Sequence, residues 1–341
     1  MSDVTVLGSG SWGTALAVLL SKKGYKVHLW GRDKEKVETL NRTRENIHYL
    51  PGVMLPTGIV ATTDLEEALN AKKYVILSVP SAKTRQLCKN IKGLINEDQI
   101  LINTSKGIET DTLKRMSEVI EEELVDKSPQ IAVLSGPSHA EEVGKDIPTA
   151  VVIGSKNRKV AEEIQNVFMS PKFRVYTNPD MIGIELGAAL KNVIALGTGI
   201  ADGIGYGDNT KAALITRGLT EIARLGEAVG ADVRTFAGLT GIGDLIVTCT
   251  SMHSRNRRAG ILIGKGDPLD VVLKKVGMVV EGVTATEAGY KLGEKYKISM
   301  PICQQTYEVL FNNKNPKEAV VELMMRQKTH EVEEVAVQDK W

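Results

Sequence analysis

In the first half of the chain, short and almost wholly apolar runs alternate with stretches whose apolar residues recur every three or four positions. Val4–Leu7 predicts a strand and Trp12–Lys23 a helix. The segment 26–30 (KVHLW) predicts a second strand and Asp33–Arg44 a second helix. Further strands are expected at Tyr74–Val79, Gln99–Asn103, Gln130–Leu134 and Ala150–Ile153, with helices such as Ser81–Ile91 and Leu113–Leu124 between them. Near-continuous apolar strands separated by helices imply a mostly parallel sheet covered on both faces. Beyond Pro179 the period becomes helical throughout: Met181–Ala201, Thr210–Val229, Ala285–Tyr296, Pro301–Phe311 and Pro316–Met325. The expected fold class is therefore α/β: an N-terminal doubly wound, Rossmann-like sheet over residues 1–180, then an all-α domain over 181–330. A polar tail, 331–341, closes the chain.

Composition narrows the function. The 341 residues suit two domains. Lys+Arg total 43 against 42 Asp+Glu, and aromatics are 4%. That leaves neither the broad basic surface nor the stacking platforms of a nucleic-acid binder, so no nucleic-acid partner is expected. Three scattered cysteines, Cys88, Cys249 and Cys303, form no disulfide framework and fit a reducing interior. With no signal-peptide pattern and no charge-free apolar run of membrane-spanning length, a cytoplasmic protein is expected. Glycine is in excess, 32 residues or about 9% against a usual ~7%.

Part of that excess lies in Gly8-Ser9-Gly10-Ser11-Trp12-Gly13, a G-x-G-x-x-G that directly follows a strand and opens a helix. Gly8 serves the tight turn, Gly10 the approach of a pyrophosphate, and Gly13 the packing of helix on strand. The helix N-terminus adds free N–H groups and partial positive charge. The second strand ends in Trp30-Gly31-Arg32-Asp33. An acidic residue there favours NAD, whereas an arginine takes the 2′-phosphate of NADP. Arg32 is read as a cofactor contact, with NADP at least accepted; a solvated surface charge is the other reading.

Further segments are more specific: Asn103-Thr104-Ser105-Lys106-Gly107, Leu134-Ser135-Gly136-Pro137-Ser138-His139-Ala140, Leu190-Lys191-Asn192-Val193, Gly241-Ile242-Gly243-Asp244-Leu245 and Ser254-Arg255-Asn256. With the glycine loop, they closely resemble the bacterial-type NAD(P)-dependent glycerol-3-phosphate dehydrogenases, in order over about residues 3–334. One departure is Ala188, where that family more often has glycine. The resemblance implies reversible reduction of dihydroxyacetone phosphate to sn-glycerol 3-phosphate with NADPH or NADH. It also implies supply of glycerophospholipid synthesis, a homodimer, and a helical domain of the 6-phosphogluconate-dehydrogenase-like kind.

Reducing a ketone with a nicotinamide requires a proton for the carbonyl oxygen, and a phosphorylated substrate requires anchors. Lys191, flanked by Leu190 and Val193, would be partly desolvated and more acidic than usual. Spacing alone favours a lysine reaching for solvent at a domain edge; the resemblance reverses this and makes it the general acid–base. The resemblance also implies that Lys106 contacts both substrate and cofactor. Gly136, Ser138, Lys191, Asp244, Ser254, Arg255 and Asn256 would touch substrate. Ser11, Trp12, Ala140, Arg255, Val279 and Glu281 would touch cofactor. Asp244 could meet a substrate hydroxyl or Lys191, or simply cap a helix. Arg255 suits bidentate recognition of phosphate, while Arg257 and Arg258 could simply be solvated. The five histidines (28, 48, 139, 253, 330) show no metal-ligand spacing, and no metal is expected. The rival readings are a related two-domain dehydrogenase, of 3-hydroxyisobutyrate or 6-phosphogluconate, and a nicotinamide-binding regulator without turnover.

Overall fold

The computed structural model describes residues 3–70, 72–328 and 330–331. Its strands are β1 (Val4–Leu7), β2 (Val27–Trp30), β3 (Glu45–Asn46), β4 (Leu50–Met54), β5 (Ile59–Thr62), β6 (Tyr74–Leu77), β7 (Ile100–Asn103), β8 (Gln130–Ser135), β9 (Thr149–Gly154) and β10 (Phe173–Asn178). Eight form one sheet in the order β10-β9-β8-β7-β6-β1-β2-β5, and β3 pairs with β4 alone. From β5 to β8 every neighbour is parallel. The chain winds outward from β1 in both directions, so the switch point falls between β1 and β6. β1, β6 and β7 are buried along their whole length, which is why the sequence shows continuous apolar runs there rather than alternation.

One pairing departs from the expected parallel order: β9 runs antiparallel to β8, with Val133 opposite Gly154. The link between them carries only the short helix Ala140–Gly144, which packs against the helix Ser11–Lys22. A parallel return needs a crossover over the sheet face, and none is present here. β10 then rejoins β9 in parallel. β5, β10 and the β3–β4 pair were not among the strands expected. β5 and β10 lie at the two sheet edges, and their side chains are exposed at Val60 and at Arg174 and Tyr176, so no unbroken apolar run marks them.

Helix ends follow local chemistry. Asp33, expected inside the second helix, caps it instead: its Oδ1 accepts the Lys36 N–H at 3.2 Å. Arg44 leaves that helix in the left-handed region at φ 56°. The segment 81–91 divides into a tight turn, Ser81–Lys83, and a helix, Thr84–Ile91. The helix expected at 113–124 is Met116–Glu123.

The second half is organised around one buried helix, Met181–Ile204, begun by Asp180, whose Oδ1 accepts the Gly183 N–H at 2.9 Å. Asp208–Ala228, Asp244–Thr250, Arg255–Gly264, Glu281–Tyr296 and Pro301–Phe311 pack around it. By length and hydropathy Met181–Ile204 would pass for a membrane span, but 89% of its most apolar window is covered by the rest of the fold. Much of the glycine excess is spent here. A Cβ on Gly199 would lie 2.2 Å from the Arg257 carbonyl oxygen, and one on Gly203 2.3 Å from that of Ile261. Across the same contact, a Cβ on Gly260 or Gly264 would lie 2.2 Å from the oxygens of Leu196 and Ile200. Two helices thus touch backbone to backbone, and the segment 254–256 is held beside the helix that carries Lys191. All three cysteines are buried. Residues 332–341, nearly all of the expected polar tail, lie outside the described residues.

Candidate active site

The expected site residues gather at the carboxyl ends of the sheet strands, where ligands of open α/β sheets bind. At the end of β1, Gly8 has φ +126°, and a Cβ there would lie 2.4 Å from the Ser78 carbonyl oxygen. A Cβ on Gly13 would meet the Gly8 oxygen at 1.9 Å. Both glycines are needed by the fold itself. Gly10 differs: nothing lies within 4 Å of its Cβ position. It stands at the N-cap of Ser11–Lys22 with no side chain capping the helix. Open space over an uncapped helix N-terminus is what a pyrophosphate requires.

A buttress missed in the sequence holds this loop. Asn46 Nδ2 donates to the Ser9 oxygen at 2.9 Å and to Thr14 Oγ1 at 2.8 Å. Ser11 Oγ donates to the Tyr49 carbonyl at 2.6 Å. Trp12 packs partly buried on the sheet core, its Nε1 enclosed without a hydrogen-bond partner among the described residues. Arg32 is exposed, with no hydrogen bond or ion pair among the described residues, whereas the neighbouring Asp33 is engaged as a helix cap. The residues present therefore fit a dinucleotide and offer a free cation, not a free carboxylate, at the ribose position.

The second group is a charged cluster drawn from four distant segments. Lys191, on the central helix, donates from Nζ to Asp244 Oδ1 at 2.6 Å and to Thr248 Oγ1 at 2.6 Å. Lys106, in the loop after β7, donates to Asp244 Oδ2 at 2.6 Å and to the Gly136 carbonyl at 2.9 Å. Asp244 is 1% exposed and Lys191 6%. Asp244 is the first residue of its helix rather than the cap, so of its expected roles the structure provides the contact with Lys191. Thr248 follows one turn later on the same helix and lies against Lys191. Its place four residues after Asp244 is the signal that sequence reasoning passed over.

Each ammonium has three N–H donors. Lys191 and Lys106 spend two apiece within the protein, leaving one each. Burial pulls the Lys191 pKa from 10.5 to about 8; Asp244 opposes this, while Lys106 reinforces it. The depression corresponds to roughly 3 kcal/mol, so burial outweighs the carboxylate's attraction. At Asp244 burial favours the neutral acid, but the two lysines win and hold the carboxyl below its usual range. The result is a carboxylate bridging two ammonium groups, one of them near neutrality.

Around the cluster, Ser138 Oγ donates to the Gly136 oxygen at 2.9 Å. Asn192, beside Lys191 but given no role in the sequence reading, accepts from Asn256 Nδ2 at 2.8 Å. Asn256 Oδ1 in turn accepts the Gly282 N–H at 2.9 Å. Ser254 caps the helix Arg255–Gly264 by accepting the Arg257 N–H at 3.2 Å. Arg255 has no hydrogen bond or ion pair among the described residues. Burial weakens its hold on its proton, with Glu281 and Glu141 opposing. Arg257 is not simply solvated: it is paired with Asp202 at 2.8 Å. Arg258 is partly buried, its Nε enclosed without a partner among the described residues.

Glu281 begins its helix and spans the two halves of the molecule. Its Oε1 accepts the Ser81 N–H at 3.0 Å, and its Oε2 accepts the Ser81 hydroxyl at 2.5 Å. Ala140 is buried at the start of its short helix, and Val279 is exposed. No group of three or more His, Cys, Asp or Glu side chains among the described residues could hold a metal.

Comparison with known proteins matches this chain to two family models. Residues 3–161 match the N-terminal part of NAD-dependent glycerol-3-phosphate dehydrogenase, and residues 180–321 match its C-terminal part. The NAD(P)+ glycerol-3-phosphate dehydrogenase of Pelotomaculum thermopropionicum is 58% identical over 335 residues, 98% of this chain and 96% of that protein. That of Fusobacterium nucleatum is 55% identical over 333 residues, 98% of this chain and 99% of that protein. The crystal structure of glycerol-3-phosphate dehydrogenase from Coxiella burnetii superposes with a TM-score of 0.92 at 38% identity, covering 95% of this chain and 99% of that one. With both of its halves matched in order, the chain belongs to the family of NAD-dependent glycerol-3-phosphate dehydrogenases.

Proposed function

We propose that the protein reduces dihydroxyacetone phosphate to sn-glycerol 3-phosphate, reversibly, with NADPH or NADH. The observation that carries this reading is the Lys106–Asp244–Lys191 cluster, with one free N–H on each lysine at the sheet's ligand-binding edge. When bound, the reduced nicotinamide supplies the hydride. The chain's own residues do the rest. Lys191 gives its remaining proton to the carbonyl oxygen as negative charge develops there, and in the reverse direction neutral Lys191 takes the proton of the alcohol. Its acidity near pH 8 suits both directions. Lys106 keeps a fixed positive charge on the oxygen. Asp244 holds the two lysines apart and aimed, while Thr248 fixes the Lys191 amine.

Arg255, unpaired among the described residues and at a helix N-terminus, takes the phosphate, with Ser254 and Asn256 beside it and Gly136 and Ser138 completing the substrate contacts. On the cofactor side we assign Gly8, Gly10, Ser11, Trp12 and Gly13 to the pyrophosphate loop and Arg32 to the 2′-phosphate. Lys106, Ala140, Arg255, Val279 and Glu281 line the nicotinamide end. We assign the dinucleotide part to residues 1–180 and the substrate part to 181–330. Membership of the family also supports a cytoplasmic homodimer whose product feeds glycerophospholipid synthesis.

The test is NADPH oxidation on adding dihydroxyacetone phosphate, repeated with NADH and with unphosphorylated dihydroxyacetone. Turnover of the phosphate ester well above that of the unphosphorylated ketone is expected; inactivity with the ester sinks the proposal. In the same assay Arg32→Ala should shift preference from NADPH toward NADH by roughly tenfold, the scale of one charged hydrogen bond. An unchanged ratio removes Arg32 from the cofactor.

A further inference from the structure

His139 and His253 come from opposite halves of the molecule and meet at the cleft. Their ring centroids are 5.7 Å apart with planes inclined at 53°. His139 follows Ser138 directly, so it adjoins the Gly136 carbonyl that Lys106 and Ser138 share. His253 precedes Ser254-Arg255-Asn256, at the start of the helix whose N-terminus carries Arg255, unpaired among the described residues. The two rings therefore join the chain segments that carry Ser138 and Arg255, the residues assigned to the phosphate.

His139 Nε2 is enclosed by protein and has no hydrogen-bond partner among the described residues. An enclosed polar atom is costly unless something completes it. None of the described residues does so, although charged groups act on the ring: Lys191 and Lys106 disfavour its protonated form, Glu141 and Asp244 favour it. Burial first, and Lys191 second, lower the His139 pKa below 6.5. The ring is therefore neutral at pH 7, with a single N–H to direct. The tilted partner ring supplies contact area and leaves that N–H uncommitted.

We propose that His139 is a further substrate-contacting residue that selects for the phosphate ester: its half-buried ring turns as the anion enters, Nε2–H leaves its enclosure and donates to a phosphate oxygen, and the exposed His253 ring lies against it at the rim of the phosphate seat. The inference rests on the assignment of a phosphorylated ketone to this cleft. It adds a contact from the sheet half to the arginine-bearing helix of the other half, so that one anion ties the two together.

The experiment compares wild type, His139→Phe and His139→Gln on dihydroxyacetone phosphate and on unphosphorylated dihydroxyacetone. Phenylalanine keeps the ring and deletes the donor; glutamine restores an N–H at similar reach. His139→Phe should lower kcat/KM for the phosphate ester by tenfold or more and leave the unphosphorylated ketone within about twofold, in line with a hydrogen bond to a charged group. His139→Gln should recover most of the loss. Equal losses on both ketones, or none on either, overturn the proposal. An independent reading needs no substitution: nitrogen-15 NMR of histidine-labelled wild type, with sn-glycerol 3-phosphate added. A moved His139 Nε2 resonance is expected, and an unmoved one overturns the assignment. A wild type inactive on the phosphate ester would instead defeat the functional reading on which this one stands.

Discussion

Asp244 and Glu221 lie in the same helical half and are almost equally shut away, at 1% and 3% exposed. Their surroundings drive them in opposite directions. Asp244 receives two ammonium groups and is held ionised despite its burial. Glu221 receives the N–H groups of Ile302 at 2.7 Å and Cys303 at 3.2 Å, with Arg224 and Arg326 acting only at longer range, and burial pushes its pKa up to about 7. The helix Pro301–Phe311 has no capping side chain of its own, since Met300 occupies the N-cap position. Glu221 does that work from a neighbouring helix. Burial alone thus does not mark a functional carboxylate. Counter-charges with donors to spare mark it, whereas a carboxylate whose oxygens are consumed by backbone N–H groups belongs to the fold.

The largest effect expected from this contrast is at Lys191. Lys191→Ala should lower turnover by about 10²–10⁴-fold, the usual scale for one acid–base group. A loss below tenfold would remove it from the proton transfer. The pH dependence carries a sign as well. Reduction needs protonated Lys191, so its rate should fall as pH rises through about 8, while oxidation should rise over the same interval. Parallel profiles for the two directions would assign the titration to some other group.

Asp244→Asn comes next. The amide accepts one lysine's hydrogen bond but neutralises neither charge. The alkaline limb of the reduction profile should move down by about one to three pH units, since the attraction that opposes burial is gone. Turnover at pH 7 should fall with it. A limb still near 8 would show that Asp244 does not govern Lys191 and would erase its distinction from Glu221.

Much of this was legible in the sequence, for reasons that can be named. The loop 8–13 declares itself because each glycine answers a local geometric need. The long helix could be read from its period, and the segments holding Lys106, Lys191, Asp244 and Arg255 were each recognisable. Their convergence on one carboxylate was not visible, because no spacing encodes a contact between residues 53 apart on different helices. The family resemblance named Asp244, but only the structure shows both of its oxygens engaged. Thr248 and Asn46 were missed for a related reason: an uncharged residue that orients another leaves no compositional trace. β9 reversed direction because strand orientation is set by the link before it, which a strand-by-strand reading does not weigh.

The smallest effect separates the carboxylates most cleanly. In the folded protein Glu221 titrates near 7, against an ordinary 4.5 when unfolded. The folded state therefore binds more protons than the unfolded state between those values, and stability from this group falls as pH rises through that window. The change is about 3 kcal/mol at most. Glu221→Gln should flatten that part of the dependence, seen as a wild-type-minus-variant difference in Tm that changes between pH 5 and 7 and levels off above. Steady-state turnover at pH 7 should stay within about twofold, because glutamine still accepts from the helix start. A tenfold loss of kcat with a normal Tm would instead give a carboxylate with no lysine against it a part in the chemistry, and counter-charge would no longer separate the site from the scaffold.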